Sequence, residues 1–501
     1  MRHATWISLL ILAFAASAAA PAEAAPVLVV GGDGARVEED PYLPSAAATK
    51  LPRSPQAAAR PRGATFAAGP SVKRVLRSAL DAGQLQGEDY ARYRDLYKSA
   101  RSARRRLSGA RENELASVIR TLERIARAGE LTTSRMPALF LTLERNTDFW
   151  LERSFPGSGL RVRFGSSPVT FQYYPGEGLQ IQPLANFGKA NALYNACDAG
   201  EGEDCRTADD LRELLDQMAA LAARRSGFVA WEYYFEYAGG EPPWISGIAQ
   251  GTGIQAMTRG SELLSEPRYR ELASSALGAF EKRAPTGVRV SSRGGSHYLL
   301  YSFDRRLLVL NGFLQAVTGL FDYSLITGDE RGLRLFERGD RAARRELKRY
   351  DTGAWSLYSM GGRESTLNYH ELVTGFMGNL CERTGHASYC DREQRFKGYL
   401  EEPPRLELIT GDAQAERRTR LRFRLSKVAR VKIVVSRGDT VVRRETERFF
   451  RGKRYVVWTP RSAGTYDVRL EAVDLAGNEG SAEGTIVVRK ASDGQSSKMS
   501  S

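Results

Sequence analysis

Three tyrosines that lie beside charged residues are the side chains of this chain best suited to proton transfer. Tyr301 precedes Asp304-Arg305-Arg306, Tyr358 precedes Arg363, and Tyr369 is followed by His370 and Glu371. A tyrosine serves as acid or base only if a nearby cation or donor lowers its pKa, which is near ~10 in the free side chain. The pattern therefore favours proton abstraction and return. The alternative for each tyrosine is a half-buried structural role with a hydrogen-bonded hydroxyl.

The segment that holds these tyrosines carries several motifs in a fixed order. They are IQPLANFGKANALY from Ile181, WISGIAQG from Trp244, HYLLYSFDRRLLVLNGFLQ from His297, YDTGAWSLYS from Tyr350 and LNYHELVTG from Leu367. In order and wording, they resemble the C-terminal catalytic domain of the D-glucuronyl C5-epimerases over about residues 168–400. That family inverts C5 of uronic acids within polysaccharides.

The resemblance implies roles for the tyrosines. It makes Tyr301, Tyr358 and Tyr369 the residues that share proton transfer at C5. Removing a proton α to a carboxylate requires a base, an acid on the opposite face, and a cation or donors for the enolate-like intermediate. The chemistry requires no organic cofactor. Arg305 or Arg363 is the residue that would hold the carboxylate.

The resemblance also implies substrate contacts, which we predict for Trp244, Gln250, Arg305, Asn311, Arg363 and His370. Two of them have equally good structural interpretations. Trp244 could pack the start of a helix, and Gln250 could bind nearby main chain. The neighbouring aromatic group is either a sugar platform or a strand buried against the helices, and it comprises Trp231, Tyr233, Tyr234 and Tyr237.

One departure from the family pattern bears on activity. The family has an acidic residue directly before the first tyrosine, where this chain has Leu300. Asp304 and Glu371 are the candidates to replace it. The leading prediction is a C5-epimerase, an isomerase acting on an acidic, heparan sulfate-like polysaccharide. The alternatives are a polysaccharide lyase, which abstracts the same proton and then eliminates, and a non-catalytic glycan-binding or cell-envelope-binding protein.

The N-terminus predicts export from the cytoplasm. Arg2 and His3 precede an apolar run from Trp6 to Ala19, and Ala22-Glu23-Ala24 has the form of a signal-peptidase site. The run is short for a membrane anchor, which is the alternative, because a bilayer core requires ~20 residues. We expect a secreted or cell-surface protein with no stable membrane span after cleavage.

Charge and cysteine spacing fit an exported protein with an acidic partner. The formal net charge is +14, and export favours an acidic polysaccharide over nucleic acid. The four cysteines form two close pairs, Cys197 with Cys205 and Cys381 with Cys390, which predicts two local disulfides. A metal site is the rival interpretation, but the chain lacks C-x-x-C spacing and has only four histidines.

Composition and periodicity predict a mainly α protein in several parts. A signal peptide (1–24), a flexible Ala/Pro/Gly-rich linker (25–70) and a helical region (71–154) precede a short β region and an incomplete α/α toroid (155–402). The Q-A-x-T sequences at Gln255 and Gln315 support a repeated helix hairpin. Alternating short runs at 403–490 predict an immunoglobulin-like β-sandwich, and 491–501 a disordered tail.

Overall fold

The computed structural model describes residues 24–32, 34–45, 69–153, 155–198, 205–409 and 411–490. Residues 1–23 of the predicted signal peptide (1–24), residues 33 and 46–68 of the predicted linker, and the predicted tail lie outside these ranges. Within them, no helix is long and apolar enough to cross a bilayer.

A group of four helices opens the helical part of the chain. They are α1 (Val72–Asp81), α2 (Gly87–Arg106), α3 (Gly109–Arg127) and α4 (Met136–Glu152). Ser71 begins α1, since its hydroxyl accepts a hydrogen bond from the Arg74 N–H at 3.3 Å. Leu115, Val118, Leu122 and Ile125 are all buried along one face of α3, as their helical spacing predicts.

A five-stranded sheet contacts α3 and α4 through its last strand. Its order is β2-β1-β3-β4-β5, with bounds β1 (Ala25–Gly31), β2 (Gly34–Asp40), β3 (Arg161–Phe164), β4 (Phe171–Tyr174) and β5 (Gly178–Ile181). Residues 25–31 and 34–40, which composition assigns to a flexible linker, instead form two paired strands. Val27 and Val29 are buried in β1, which pairs in parallel with β3. Composition could not reveal this partner, because it lies more than a hundred residues away along the chain.

Four helix hairpins form the next region. Their helices are α5 (Pro183–Asp198), α6 (Ala208–Ala220), α7 (Gly247–Leu263), α8 (Pro267–Ala276), α10 (Leu310–Thr327), α11 (Glu330–Glu346), α12 (Leu367–Thr384) and α13 (Ala387–Tyr399), with a short α9 (Gly278–Glu281) and a 3-10 turn (Leu347–Tyr350). The first helices contact one another in chain order, α5 with α7, α7 with α10 and α10 with α12, and each second helix packs on its own first helix. This arrangement confirms the incomplete α/α toroid.

The two Q-A-x-T sequences occupy equivalent places on adjacent inner helices. The Gln315 side chain donates to the Gln255 side chain at 3.0 Å, which joins α7 and α10. Gly251 and Gly319 let these helices approach closely, since a Cβ on Gly319 would overlap the Gly251 carbonyl. The repeat is therefore part of an inner helix contact.

Two short hairpins and two disulfides complete the toroid. The strands are β6 (Ala223–Arg225), β7 (Phe228–Ala230), β8 (Arg289–Ser292) and β9 (Gly295–Tyr298). Cys197 is bonded to Cys205, and Cys381 to Cys390, as the cysteine spacing predicts.

The C-terminal region is a sandwich of two sheets over one apolar core. The sheet orders are β10-β12-β15 and β11-β17-β16-β13-β14. The strands are β10 (Leu406–Ile409), β11 (Ala413–Gln414), β12 (Thr419–Leu425), β13 (Ala429–Arg437), β14 (Thr440–Phe449), β15 (Gly452–Trp458), β16 (Gly464–Asp474) and β17 (Glu479–Arg489). Near the start of β16, the Tyr466 hydroxyl donates to the Ser462 carbonyl at 2.8 Å. Such a tyrosine corner is a feature of immunoglobulin-like sandwiches, the class that the alternation predicts.

Two buried side chains join the sandwich to the toroid: the ion-paired Lys427 of the sandwich and Glu364 of the toroid. Lys427 pairs with Asp474 at 2.6 Å with both side chains 1% exposed, and its ammonium also donates to the Tyr399 carbonyl at 2.8 Å. The Glu364 carboxylate accepts the N–H groups of Val428 and Arg451, each at 2.7 Å. The sandwich therefore supports the toroid segment in which Glu364 lies.

Candidate active site

Six tyrosines form a connected group in the toroid, here called the tyrosine cluster: Tyr174, Tyr233, Tyr237, Tyr301, Tyr358 and Tyr369. The ring centroids of Tyr237 and Tyr301 are 5.9 Å apart, and those of Tyr358 and Tyr369 are 4.8 Å apart. Tyr174, Tyr237 and Tyr358 are half-buried, whereas the other three are buried. The structure thus brings together the three tyrosines of the sequence prediction, which are up to 68 residues apart.

Different elements hold the three predicted tyrosines in place. Tyr301 follows β9, and its ring stacks on Phe303 with centroids 5.2 Å apart. Tyr358 lies in a hairpin, where its N–H donates to the Arg363 carbonyl at 3.0 Å. Tyr369 lies in the first turn of α12, which Thr366 caps by accepting the Tyr369 N–H at 3.4 Å. Each tyrosine is therefore fixed by a local hydrogen bond or ring contact.

The Tyr369 hydroxyl is engaged on both sides. It donates to the Tyr358 carbonyl at 2.8 Å and accepts the N–H of Asn311 at 3.1 Å. Asn311 is the second residue of α10, so the tyrosine oxygen lies at the positive end of a helix. The Asn311 side chain accepts the Gly312 N–H at 2.7 Å. The contact of Asn311 with the cluster is thus through its main chain, whereas the prediction assigned it to the substrate.

The Tyr358 hydroxyl is buried without a hydrogen-bond partner among the residues that the structure describes. A buried polar group without a partner costs about 1–3 kcal/mol of folding free energy. Such exceptions are rare in native proteins and call for a physical explanation. A hydroxyl of this kind beside two further tyrosines is available to a substrate atom.

Burial raises the pKa of all three predicted tyrosines. It raises the pKa of Tyr301 well above its usual value, and neighbouring tyrosines including Tyr358 add to the shift. Burial also raises the pKa of Tyr358 and of Tyr369, while main-chain donors including Asn311 oppose the rise at Tyr369. The expectation that neighbouring cations lower these pKa values is wrong for the free protein. The three hydroxyls are protonated at neutral pH.

Two polar residues that the sequence prediction did not include face the cluster. The Gln182 amide donates to the Tyr174 hydroxyl at 2.8 Å and accepts from the Tyr233 hydroxyl at 2.9 Å. Arg161 is 1% exposed, and burial lowers its pKa to about 10. Burial raises the pKa of Tyr174 well above its usual value, and the charge of Arg161 opposes that rise. The Arg161 guanidinium donates to the carbonyls of Pro44 and Ser45. Both residues read as ordinary strand positions, so periodicity gave no signal for a site role.

Trp244 and Gln250 serve the core, as their structural interpretation has it. Trp244 is 1% exposed, and its ring stacks on Tyr233 with centroids 4.2 Å apart. Its indole N–H donates to the Phe235 carbonyl at 2.8 Å. Gln250 is fully buried, and its amide binds the main-chain N–H and carbonyl of Trp231. In the free protein, the polar atoms of both side chains and one face of the Trp244 ring are engaged in the core.

The aromatic group around Trp231 is divided between the core and the cluster. Trp231, Tyr233 and Tyr234 are buried and follow β7 instead of lying within a strand, and Tyr233 is also a member of the tyrosine cluster. Tyr237 is half-buried and belongs to the tyrosine cluster.

The two arginines predicted to hold the carboxylate are exposed. Arg363 lies over the Phe450 ring of the sandwich, 5.4 Å from its centroid. Arg305 lies in a turn in which the Asp304 carboxylate accepts the Arg306 N–H at 3.1 Å. Arg363 contacts the cluster through its main-chain carbonyl, which accepts the Tyr358 N–H, while its guanidinium lies over Phe450. The buried cation at the cluster is Arg161.

The position of the family's acidic residue is apolar. Leu300 is 2% exposed and lies beside Gly312. The two candidates to replace it are occupied elsewhere or exposed, since Asp304 caps its turn and Glu371 is exposed on α12.

His370, which the sequence predicts to contact the substrate, lies in the core of the structure. It is fully buried, and its ring stacks on Trp355 with centroids 4.0 Å apart. Its Nε2 donates to the Phe396 carbonyl at 2.9 Å, so Nδ1 is the acceptor for the Ser356 hydroxyl at 2.8 Å. Burial lowers the pKa of His370 to about 4, and the imidazole is therefore neutral at pH 7.

This pKa predicts a loss of stability in mild acid. The folded-state pKa lies below the value of 6.5 for a free histidine, so the stabilisation is present above pH 6.5 and is lost as the pH falls towards 4. We expect His370 to account for a loss of about 2 kcal/mol in the free energy of unfolding between pH 7 and pH 5. Denaturant unfolding at the two pH values measures it. His370→Gln, which cannot titrate, should lose this part of the difference, and an unchanged difference would contradict the assignment.

Comparison with known proteins gives matches in the same part of the chain. Residues 225–398 match the family described as D-glucuronyl C5-epimerase C-terminus. A D-glucuronyl C5-epimerase of Caenorhabditis elegans is 32% identical over 132 residues, which cover 24% of this chain and 21% of that protein. The chain thus matches about a fifth of the length of this relative.

Solved structures with some similarity include two sugar epimerases. Cellobiose 2-epimerase from Bacillus thermoamylovorans B4167 is 11% identical with a TM-score of 0.35, covering 58% of this chain and 75% of that one. Cellobiose 2-epimerase from Spirochaeta thermophila DSM 6192 is 14% identical with a TM-score of 0.35, covering 53% and 69%.

The tyrosine cluster draws Tyr237, Tyr301, Tyr358 and Tyr369 from the span that matches the family. The motifs that suggested the family lie largely in the same span. Over residues 225–398, this chain is similar to the C-terminal domain of the D-glucuronyl C5-epimerases.

Proposed function

We propose that this protein inverts C5 of uronic acid residues in an acidic polysaccharide by removing and returning the C5 proton. One observation carries the proposal beyond the family match. The Tyr358 hydroxyl is buried without a partner among the described residues, within contact of Tyr369 and in the electrostatic range of Tyr301. A hydroxyl that forgoes a hydrogen bond in the free protein gains one when a substrate oxygen or carbanion arrives.

The geometry supports a division of roles between two tyrosines. Tyr358 is the proposed proton donor, because its hydroxyl is protonated and has no other acceptor among the described residues. Tyr369 is the proposed base in its ionised form, the minor form at neutral pH, which takes the C5 proton while Tyr358 supplies one. The Asn311 N–H at the positive end of α10 stabilises this tyrosinate. Tyr301 is buried beside both and is assigned to proton transfer on the resemblance alone.

Arg161 is the proposed source of positive charge for the intermediate. Loss of the C5 proton places negative charge on the uronate carboxylate, and a fixed cation in a site of low dielectric stabilises such charge strongly. Arg161 is buried, and its positive charge opposes the rise that burial causes in the pKa of Tyr174, a member of the cluster. Arg305 and Arg363 are exposed, which favours Arg161 for this role.

We also propose that the protein acts outside the cytoplasm. The predicted signal peptide is the first argument, and the disulfides Cys197–Cys205 and Cys381–Cys390 are the second. Polysaccharides of this chemistry are then accessible to it.

Proton exchange at C5 tests the function. The purified protein is incubated in heavy water with heparosan or another glucuronate polymer, and deuterium at C5 is followed by NMR. We expect incorporation into an intact chain. An unsaturated, ultraviolet-absorbing product would instead identify a lyase, and the absence of both on every uronate polymer would refute the proposal.

A second candidate function rests on Leu300. Because an apolar residue occupies the family's acidic position, a protein that binds uronate polymers without catalysis fits the same fold. Binding of a polymer in the exchange experiment without deuterium incorporation would select this function.

A further inference from the structure

The outer face of the three-stranded sheet of the sandwich is strongly basic. In β12, Arg420, Arg422 and Arg424 are exposed, while the residues between them and after them (Leu421, Phe423 and Leu425) are buried in the core. Alternate residues of a strand are about 7 Å apart, so the three arginines form a straight row about 14 Å long.

The adjacent strand extends this row in a second dimension. Lys453 of β15 is paired with Arg424, and Tyr455 is paired with Arg422. Tyr455 is 49% exposed, and the Arg420 guanidinium lies 4.7 Å from the centroid of its ring. These five residues are called the arginine face below: Arg420, Arg422, Arg424, Lys453 and Tyr455.

The arginine face differs from the opposite surface of the sandwich in how its charges are balanced. On the five-stranded sheet, Lys432 pairs with Glu471 at 2.7 Å, and Arg469 pairs with Glu471 at 2.9 Å. On the arginine face, the ion pair that the structure gives is between Arg424 and Glu407 at 2.9 Å. Four cations thus share one carboxylate there, which leaves a net positive surface.

The whole sandwich shares this imbalance. Residues 403–490 contain 20 Lys and Arg against 11 Asp and Glu, so they supply +9 of the net charge of +14. The excess is concentrated in the region that the epimerase family match does not include.

One end of the arginine face adjoins the segment that carries Tyr358. The pairing of Leu425 with Gly452 closes the row, and the next residues on both strands bind the toroid. Val428 and Arg451 donate to Glu364, and the Phe450 ring lies under Arg363. A chain lying along the face would therefore approach the hairpin of Tyr358 at this end.

We propose that the arginine face binds a linear anionic polysaccharide and holds it next to the toroid. The choice of polymer rests on the proposed function. Guanidinium groups bind carboxylates and sulfates in a bidentate manner, and an exposed tyrosine ring packs against a sugar face. A straight row of evenly spaced cations suits an extended polymer, whereas a small anion would use only one or two of them.

The test compares two triple variants of the full-length protein. In the first variant, Arg420, Arg422 and Arg424 are changed to Gln. In the control variant, the same change is made at three exposed arginines of α2, namely Arg101, Arg105 and Arg106. Each variant therefore loses three positive charges. Affinity for long heparosan chains is measured by surface plasmon resonance at several salt concentrations, and C5 deuterium exchange is measured on the long polymer and on a tetrasaccharide. A melting curve establishes that each variant is folded.

We expect the first variant to bind the long polymer at least tenfold more weakly, with a flatter salt dependence, and the control to bind nearly as the parent does. Exchange on the tetrasaccharide should be unchanged. Equal losses in both variants, or none in the first, would overturn the proposal. So would equal affinity of the parent for single-stranded DNA with the same arginine dependence, because the face would then be a general polyanion surface. Arginine-dependent polymer binding without any exchange would support the face and refute only the proposed function.

Discussion

Tyr358→Phe is expected to reduce C5 deuterium exchange by a factor of about 100 or more without destabilising the protein. The substitution removes one oxygen atom. In the proposed mechanism that oxygen donates the proton, so the chemical step loses its acid. In the folded protein it has no hydrogen-bond partner among the described residues, so no such bond is lost. The melting temperature should stay the same or rise, because a buried unsatisfied hydroxyl is removed.

Two companion variants separate the role of Tyr358 from general packing. Tyr369→Phe breaks hydrogen bonds to the Tyr358 carbonyl and the Asn311 N–H, so it should lose both exchange and about 1–3 kcal/mol of stability. Tyr389→Phe is the matched control, since Tyr389 is fully buried and its hydroxyl donates to Asp340 at 2.9 Å. We expect Tyr389→Phe to lower the free energy of unfolding and to leave C5 deuterium exchange unchanged. Full exchange in Tyr358→Phe would exclude that residue as the proton donor.

Lys427→Met is expected to have the largest effect on stability, about 3–5 kcal/mol. The change leaves the Asp474 carboxylate, which is 1% exposed, without its ammonium partner at 2.6 Å. It also removes the hydrogen bond to the Tyr399 carbonyl at the end of α13. The penalty is dominated by the buried charge that remains, because methionine itself fills most of the space. Urea unfolding followed by tryptophan fluorescence measures the loss.

Lys432→Met provides the matched control for this prediction. Lys432 also pairs with a carboxylate at 2.7 Å, but it and Glu471 are 43% and 34% exposed. An exposed pair contributes about 1 kcal/mol or less, so this variant should unfold nearly as the parent does. Equal losses in the free energy of unfolding of the two variants would show that burial of the Lys427–Asp474 pair does not determine its contribution to stability. Lys427 precedes Val428, which together with Arg451 binds Glu364 in the hairpin of Tyr358. Lys427→Met should therefore also slow C5 deuterium exchange on the substrate.

The local patterns of the sequence predicted the elements whose own residues determine them. The spacing of Leu115, Val118, Leu122 and Ile125 identified a face of α3, and the alternation in RLRFRLS identified β12. The two Q-A-x-T sequences pointed to a repeated hairpin, and the structure places Gln255 against Gln315. These predictions hold because periodicity records which side of an element is buried.

Features that depend on residues far apart in the chain could not be predicted from local patterns. The apolar run at Val27 lies in a segment with the composition of a linker, but it pairs with β3. Trp244, Gln250 and His370 lie in motifs that suggested substrate contacts, but their polar atoms are bound to Phe235, Trp231 and Phe396. A motif identifies positions in a family and does not distinguish a residue that touches a ligand from one that supports its neighbours.

The sequence by itself indicated the similarity to the epimerase family, the hairpin repeat, the disulfide pairs and the three tyrosines of the proposed site, since each depends on residue types at short or fixed spacings. Only the tertiary structure decided which groups share the site with them. Gln182 binds two tyrosines of the cluster from the sheet region, the buried charge of Arg161 acts on Tyr174, and Arg305 and Arg363 remain exposed. The same packing raises the pKa of the three tyrosines, because burial is the largest cause at each and only Tyr369 has main-chain donors that oppose it. Burial is a property of the assembled chain, and no local pattern of residues encodes its extent at a particular hydroxyl.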